Sequence, residues 1–82
     1  DILMRPKISS NEDDFKRCLG RKMHREMIRR GFDQIMLSKA TGISKGTISY
    51  YMNGTSMPSL YKIKLIADAL DCSVDELLKF DC

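Results

Sequence analysis

The chain has 82 residues, of which 43% are hydrophobic and 30% charged, a composition that predicts one folded domain and excludes a disordered chain. It contains no apolar run of about 18 residues and no signal-peptide pattern, so we expect a cytoplasmic protein that does not associate with membranes. The three cysteines lack CxxC and CxxH spacing, which argues against a zinc site and against a disulfide framework. The single histidine, His24, is expected on the surface.

Positive charge is concentrated in one part of the chain, although the whole chain carries a net charge of only +3. Residues 15–31 hold seven basic side chains and one acidic side chain, whereas residues 1–14 and residues 58–82 each sum to −2. A basic helix suits a polyanionic partner. The same pattern also fits a solvated helix face, so charge alone leaves both interpretations open.

The first predicted helix follows a segment without periodicity. Residues 1–10 are expected to form a flexible N-terminal arm, and residues 11–82 are expected to form the folded domain. The helix begins after Ser10 with acidic residues in its first turn and ends at Gly31. Its apolar stripe, which Ile28 widens, consists of Phe15, Leu19, Met23 and Met27.

Two short helices and a glycine turn are predicted next. Asp33 is the N-cap of a helix from Gln34 to Thr41, which Gly42 ends. Ser44 is the N-cap of a helix over residues 45–52, and Asn53 with Gly54 provides its stop signal.

Two further helices complete the prediction. Ser59 caps the first of them, and its apolar stripe consists of Leu60, Ile63, Ile66, Ala67 and Leu70. Ser73 opens a capping box for a last short helix through Leu77 and Leu78. No segment alternates apolar and polar residues, so the expected fold class is all-α, a compact bundle of five short helices.

Residues 34–53 carry the most informative pattern in the chain. Two helices that cross steeply through a tight turn often need a glycine where the backbone becomes left-handed, and Gly42 occupies that place. The side chains expected to fix the crossing are Leu37, Ile43, Ile48 and Tyr51. The second helix then projects from the domain, and the major groove of DNA is wide enough to accept it.

This pattern extends into a family resemblance. The matching residues are Gln34, Leu37, Gly42, Ile43, Ser44, Ile48, Gly54 and Pro58, and the tail from Leu65 to Leu78 matches as well. The stretch from Phe32 to Leu78 thereby resembles the phage lambda repressor and Cro-like helix-turn-helix family. The resemblance implies a lambda repressor-like DNA-binding domain whose helix 45–52 enters the major groove.

The resemblance also implies residue roles. The base-contacting residues would be Ser44, Lys45, Gly46, Thr47 and Tyr50. Gln34, at a helix N-terminus that favours an anion, and Asn53 would bind phosphate. The basic residues Lys22, Arg25 and Arg29 of the first helix are further candidates for phosphate contacts.

Some positions depart from the family pattern. Gly46 offers no side chain at a base-contacting position, which means either a close backbone approach or weak specificity. Where many members pair an arginine with a glutamate, this chain has Met27 and Met52, and we predict that these two side chains touch. Ser38 replaces the alanine that is usual in the first helix of the motif.

The resemblance implies a sequence-specific transcription regulator, a phage- or mobile-element-type repressor that binds a two-fold symmetric operator as a nucleoid-associated homodimer. The alternative is an antitoxin-like or other protein-interaction module on the same fold, with Ile35 and Met36 as an exposed patch. Packing of these two side chains on the arm or on the first helix is the other interpretation. No nucleophile–base pair or metal set is apparent, so we expect neither an enzyme nor a cofactor. Phe80 is the candidate for a dimer surface.

Overall fold

A computed structural model of the chain describes residues 12–79, which fold into five α-helices and contain no strand. The helices are α1 (Glu12–Arg30), α2 (Gln34–Thr41), α3 (Lys45–Met52), α4 (Leu60–Ala69) and α5 (Val74–Leu77). The predicted all-α bundle is therefore confirmed. The predicted arm over residues 1–10 and Phe80 lie outside the described residues. None of the described helices is long and apolar enough to cross a membrane.

The 19-residue helix α1 is stabilised by the charged residues at its two ends and by burial of its apolar stripe. Acidic residues occupy its first turn and arginines its last turn, which complements the helix dipole. Leu19, Met23 and Met27 are buried as predicted, and His24 is exposed as predicted. The prediction that Ile28 widens the stripe is wrong, because its side chain is exposed. Ile28 follows Met27 by one residue, and each residue rotates the side chain by more than a quarter turn around the helix axis.

Helices α2 to α5 each begin at a polar residue whose side chain accepts a hydrogen bond from a backbone N–H of the first turn. The pairs are Asp33 with Met36 at 2.8 Å, Ser44 with Thr47 at 3.2 Å, Ser59 with Lys62 at 3.2 Å and Ser73 with Glu76 at 2.9 Å. Such a cap satisfies one of the N–H groups that a helix start leaves without a partner. The four predicted N-caps are therefore confirmed.

One core joins the five helices. Helix α1 packs against α3 and α5, α2 packs against α3 and α4, and α4 packs against α5. The buried apolar residues outside α1 are Leu37, Ile43, Ile48, Tyr51, Ile63, Ile66, Ala67, Leu70 and Leu77. Leu60 was expected among them, but it is 73% exposed, because it is the first residue of α4 and none of the other described helices covers it.

Helices α1 and α3 approach each other very closely at Gly20, a buried residue of α1. A methyl group at this position would lie 2.7 Å from the carbonyl oxygen of Tyr51 and closer still to that of Met52. No residue with a Cβ atom fits there unless the backbone shifts. Gly20 therefore sets the distance between α1 and the C-terminal end of α3.

Candidate nucleic-acid interface

The turn between α2 and α3 is held by side-chain hydrogen bonds as well as by its glycine. Gly42 has a φ of 78°, and its N–H donates to the carbonyl oxygen of Ser38. The hydroxyl of Ser38 donates to the carbonyl oxygen of Ile43 at 2.6 Å. The hydroxyl of Thr41 donates to the carbonyl oxygen of Leu37 at 2.8 Å and accepts from the N–H of Ile43 at 3.1 Å. These bonds fix the direction in which α3 leaves the turn.

Helix α3 has a buried face and an exposed face. Ile48 and Tyr51 are buried in the core. Gly46, Tyr50 and Asn53 are exposed, and their spacings of four and three residues place them together on the opposite face. The outer face of α3 is therefore available for contact with another molecule.

The first turn of α3 brings four of the five predicted base-contacting residues together. The hydroxyl of Ser44 donates to that of Thr47 at 2.8 Å, in addition to the cap that it forms on the Thr47 N–H. These two hydroxyl groups therefore bind each other at the helix start. Lys45 is exposed and has no ion pair within residues 12–79, and Tyr50 follows Gly46 by one turn.

The two phosphate-binding residues that the resemblance implies lie at helix ends. Gln34 is the half-buried first residue of α2, and Asn53 is exposed directly after α3. The carboxylate of Asp33 accepts from the N–H of Met36, so an acidic group already occupies part of the α2 N-terminus. Because a helix N-terminus binds anions through such free N–H groups, Asp33 reduces what this end offers to a phosphate.

Most basic side chains of α1 contact carboxylates. Five of the seven form ion pairs within residues 12–79: Lys16, Arg17, Lys22, Arg29 and Arg30. Arg21 and Arg25 are exposed and form none in that range. A count of charges along the sequence does not show which of them are paired, so the pairing is information that only the structure supplies. Of the three cations predicted to bind phosphate on this helix, Arg25 is the one without an ion pair in residues 12–79.

Glu26 is the centre of this pairing and is only 1% exposed. The Nζ atom of Lys22 lies 3.4 Å from its carboxylate, and Nη1 of Arg29 lies 2.9 Å away. Lys22 also lies 3.6 Å from the carboxylate of Glu76 on α5. Lys22 and Arg29 are thus paired with carboxylates, Lys22 in the interior and Arg29 at the surface, and their phosphate contacts remain a prediction.

The surroundings of Glu26 keep it ionised. Burial alone would raise the pKa of its carboxyl, but hydrogen bonds from Lys22 and Arg29, together with their positive charges, bring this pKa below its ordinary value. Arg30 lies 3.9 Å from Glu26 and 3.7 Å from Asp71, which follows α4. Sequence reasoning missed this network, although the basic residues three and four positions from Glu26 were a visible signal.

Cys72 is a free cysteine that lies just after α4. Its thiol is half-buried. Burial, with the nearby Glu26 carboxylate, raises the pKa of the Cys72 thiol, so this thiol is protonated at neutral pH.

A short helix, a glycine turn and a second helix with an exposed outer face define a helix-turn-helix unit. The sequence matches the profile of a helix-turn-helix family, the lambda repressor and Cro-like one, over residues 22–77. The chain belongs to this family of DNA-binding transcription regulators, as the sequence resemblance predicted.

Solved structures share the fold. The restriction-modification controller protein C.AhdI from Aeromonas hydrophila is 24% identical with a TM-score of 0.74, over 76% of this chain and 94% of that protein. The hypothetical transcription factor NHTF from Neisseria is 23% identical with a TM-score of 0.77, over 95% of this chain and 90% of that protein. At these identities the likeness shows the fold alone. No curated protein sequence matches the chain.

Proposed function

We propose that this protein is a sequence-specific regulator that inserts α3 into the major groove of double-stranded DNA. The observation that carries the proposal is the division of α3 into two faces. Ile48 and Tyr51 anchor one face in the core, while Gly46 and Tyr50 are exposed on the other. A helix anchored in this way presents a fixed surface to the groove, and the groove is wide enough to accept it.

The proposed base contacts follow from the chemistry of the exposed side chains. Lys45 donates to O6 and N7 of a guanine, which is a common specific contact in the major groove. Tyr50 contacts a base edge through its hydroxyl group or its ring. Ser44 and Thr47 bind each other through their hydroxyl groups, so their contribution is the Thr47 methyl group, which packs against a thymine methyl.

The proposed phosphate contacts are made by Gln34, Asn53 and Arg25. The first two lie at the ends of the helix-turn-helix unit, and Arg25 is exposed on α1 without an ion pair among the described residues. Such contacts orient the protein on the duplex, while the base contacts supply specificity. Lys22 and Arg29 are left out of this proposal, because Glu26 binds both of them.

We further propose that the protein is a repressor that binds a two-fold symmetric operator as a homodimer. A single small domain makes few contacts with DNA, and a joined second copy raises the affinity through effective concentration. Leu60 and Tyr61, 73% and 68% exposed at the start of α4, are an apolar surface on which a second copy can pack. Bound at a promoter, the dimer would occlude RNA polymerase.

Selection from a pool of random-sequence duplexes tests this function. The purified protein is incubated with the pool at two salt concentrations, and the retained duplexes are sequenced. We expect enrichment of a two-fold symmetric motif whose half-site centres lie about 10 base pairs apart. Retention of DNA without enrichment of any motif, or no retention at either salt concentration, would contradict the proposal.

A protein-interaction module on the same fold is the second candidate, and two exposed apolar side chains on α2 favour it. Ile35 and Met36 are 51% and 44% exposed at the start of this helix, so neither is packed away against the described part of the chain. Protection of Met36 from oxidation by a partner protein, combined with no enrichment of DNA, would favour this candidate. Protection of Met36 by the selected duplex would favour the DNA-binding function instead.

A further inference from the structure

Gly46 differs from the other four glycines of the chain, each of which has a structural requirement for glycine. Three of them have positive φ angles: Gly31 at 73°, Gly42 at 78° and Gly54 at 76°. Gly20 lies against the backbone of α3, where a side chain cannot fit. Gly46 is helical, and a methyl group built on it would meet no atom within 4 Å.

Glycine is also an unfavourable residue at this position of α3. It loses more conformational freedom than alanine does when a helix forms. The open space around Gly46 means that the fold would accept alanine without any shift of its neighbours. Internal packing therefore gives no reason for Gly46, and helix propensity argues against it.

The location of Gly46 suggests that the reason for a glycine lies in contact with another molecule. It is the second residue of α3, it is exposed, and it lies next to Lys45 and one turn before Tyr50. The backbone of α3 is therefore bare in the middle of the surface that we propose contacts bases. Glycine is the residue that permits a backbone to approach a ligand closely.

We infer that Gly46 is a specificity-determining position, at which the bare backbone of α3 lies against the base edges of a DNA duplex. This inference rests on the proposed function. The close approach brings Lys45 and Tyr50 within reach of their bases, and any side chain at position 46 lifts the helix away from them. If Gly46 instead made no contact with DNA, an added methyl group would leave the affinity unchanged.

The variants Gly46→Ala and Gly46→Leu test this inference. Binding is measured on the duplex that the wild-type protein enriches from the random pool, and folding is measured by urea unfolding. We expect Gly46→Ala to raise the urea midpoint and to weaken binding by about tenfold or more, as an extra methyl group does in a closely packed contact. Gly46→Leu should weaken binding further.

A salt titration separates this steric effect from a loss of charge contacts. Both variants keep every cation, so the slope of log affinity against log salt concentration should equal that of the wild type. Equal or tighter binding by Gly46→Ala would overturn the inference and leave the proposed function in place. A lower urea midpoint for Gly46→Ala would refute its premise that the fold accepts a side chain there. A wild-type protein that enriches no duplex would overturn the proposed function and, with it, the inference.

Discussion

Glu26 is a buried carboxylate in a small domain, and the cations around it explain how the fold tolerates it. A charge taken out of water is costly unless it is paired and hydrogen-bonded, and Lys22 and Arg29 both bind this carboxylate. Removal of the Glu26 charge leaves Lys22 buried, with Glu76 as its remaining carboxylate among the described residues. Breaking the network should therefore lower the free energy of unfolding by more than the intact ion pairs contribute to it.

We expect Glu26→Gln to lower the free energy of unfolding by about 3 kcal/mol, because Lys22 would stay buried with Glu76 as its only charged partner among residues 12–79. Urea unfolding at neutral pH measures this change. Asp68→Asn, which breaks the exposed ion pair with Lys64, is the matched control and should change the free energy by less than about 1 kcal/mol. Equal losses in the two variants would contradict this account of Glu26.

The lowered pKa of Glu26 predicts how stability depends on pH. The ionised carboxylate contributes its full stabilisation above the ordinary pKa of 4.5, and this contribution is lost as the pH falls through the lower pKa of the folded state. The wild-type protein should therefore lose stability in this acidic range more steeply than Glu26→Gln does. Parallel curves of thermal midpoint against pH for the two proteins would refute the assignment.

Part of this residue-level detail could be predicted from the sequence. The N-caps, such as Asp33 and Ser44, depend on bonds within three residues, so their positions were visible in the chain. The spacing of basic residues around Glu26 was visible as well. The contacts of Lys22 with Glu76 and of Arg30 with Asp71 were not, because they join residues that only the tertiary fold brings together.

At the scale of helices, the sequence predicted where most elements begin and end but not how closely they pack. Gly42 and Gly54 are local signals, since a turn requires their positive φ angles. Gly20 lies inside a continuous helix, and its requirement arises only from the backbone of α3 across the interface. The exposure of Leu60 was missed for the same reason, since its helical spacing does not show that no neighbouring helix covers it.

We expect Gly20→Ala to destabilise the fold by about 1–3 kcal/mol, because the added methyl group would lie 2.7 Å from the Tyr51 carbonyl oxygen. The free energy of unfolding in urea gives the measurement. Gly46→Ala is the matched control, since it adds the same group where nothing lies within 4 Å. If Gly20→Ala were as stable as the wild type, α1 and α3 would not be in close contact at this point.

A contact between Met27 and Met52 remains a prediction. Met27 belongs to the buried core, and Met52 is half-buried against that core. We expect Met27→Glu or Met52→Glu to destabilise the fold by about 1–3 kcal/mol, with the larger effect at the fully buried Met27. Alanine variants in a double-mutant cycle then measure the coupling of the two side chains. A negligible change in urea midpoint for both glutamate variants would rule the contact out.

At the scale of the whole molecule, the apolar start of α4 predicts self-association. We expect Leu60→Glu combined with Tyr61→Glu to shift the protein towards the monomer in sedimentation without lowering its stability, because both side chains are exposed. Ile28→Glu, which changes an exposed apolar residue of α1, is the matched control and should leave the association unchanged. A wild-type protein that is monomeric in solution and on its selected duplex would contradict the dimer.

Family membership was predictable from one sequence because the helix-turn-helix unit consists of local signals: two caps, a turn glycine and apolar residues at fixed spacings. The cations available to DNA were not predictable in the same way. Seven basic residues on α1 suggested a charged surface, and carboxylates contact five of them. We therefore propose that α3 supplies specificity and that α1 has a smaller role in phosphate binding, through Arg25.

The most direct test of this assignment is the preference of the protein for its selected duplex over a scrambled duplex of the same composition. Fluorescence anisotropy gives this affinity ratio for the wild type, for Lys45→Ala combined with Tyr50→Ala, and for Lys39→Ala, which removes an exposed lysine from α2. We predict that the double variant loses about tenfold or more of the wild-type preference and that Lys39→Ala keeps it. A double variant with the full wild-type preference would show that α3 does not contact the bases that the protein recognises.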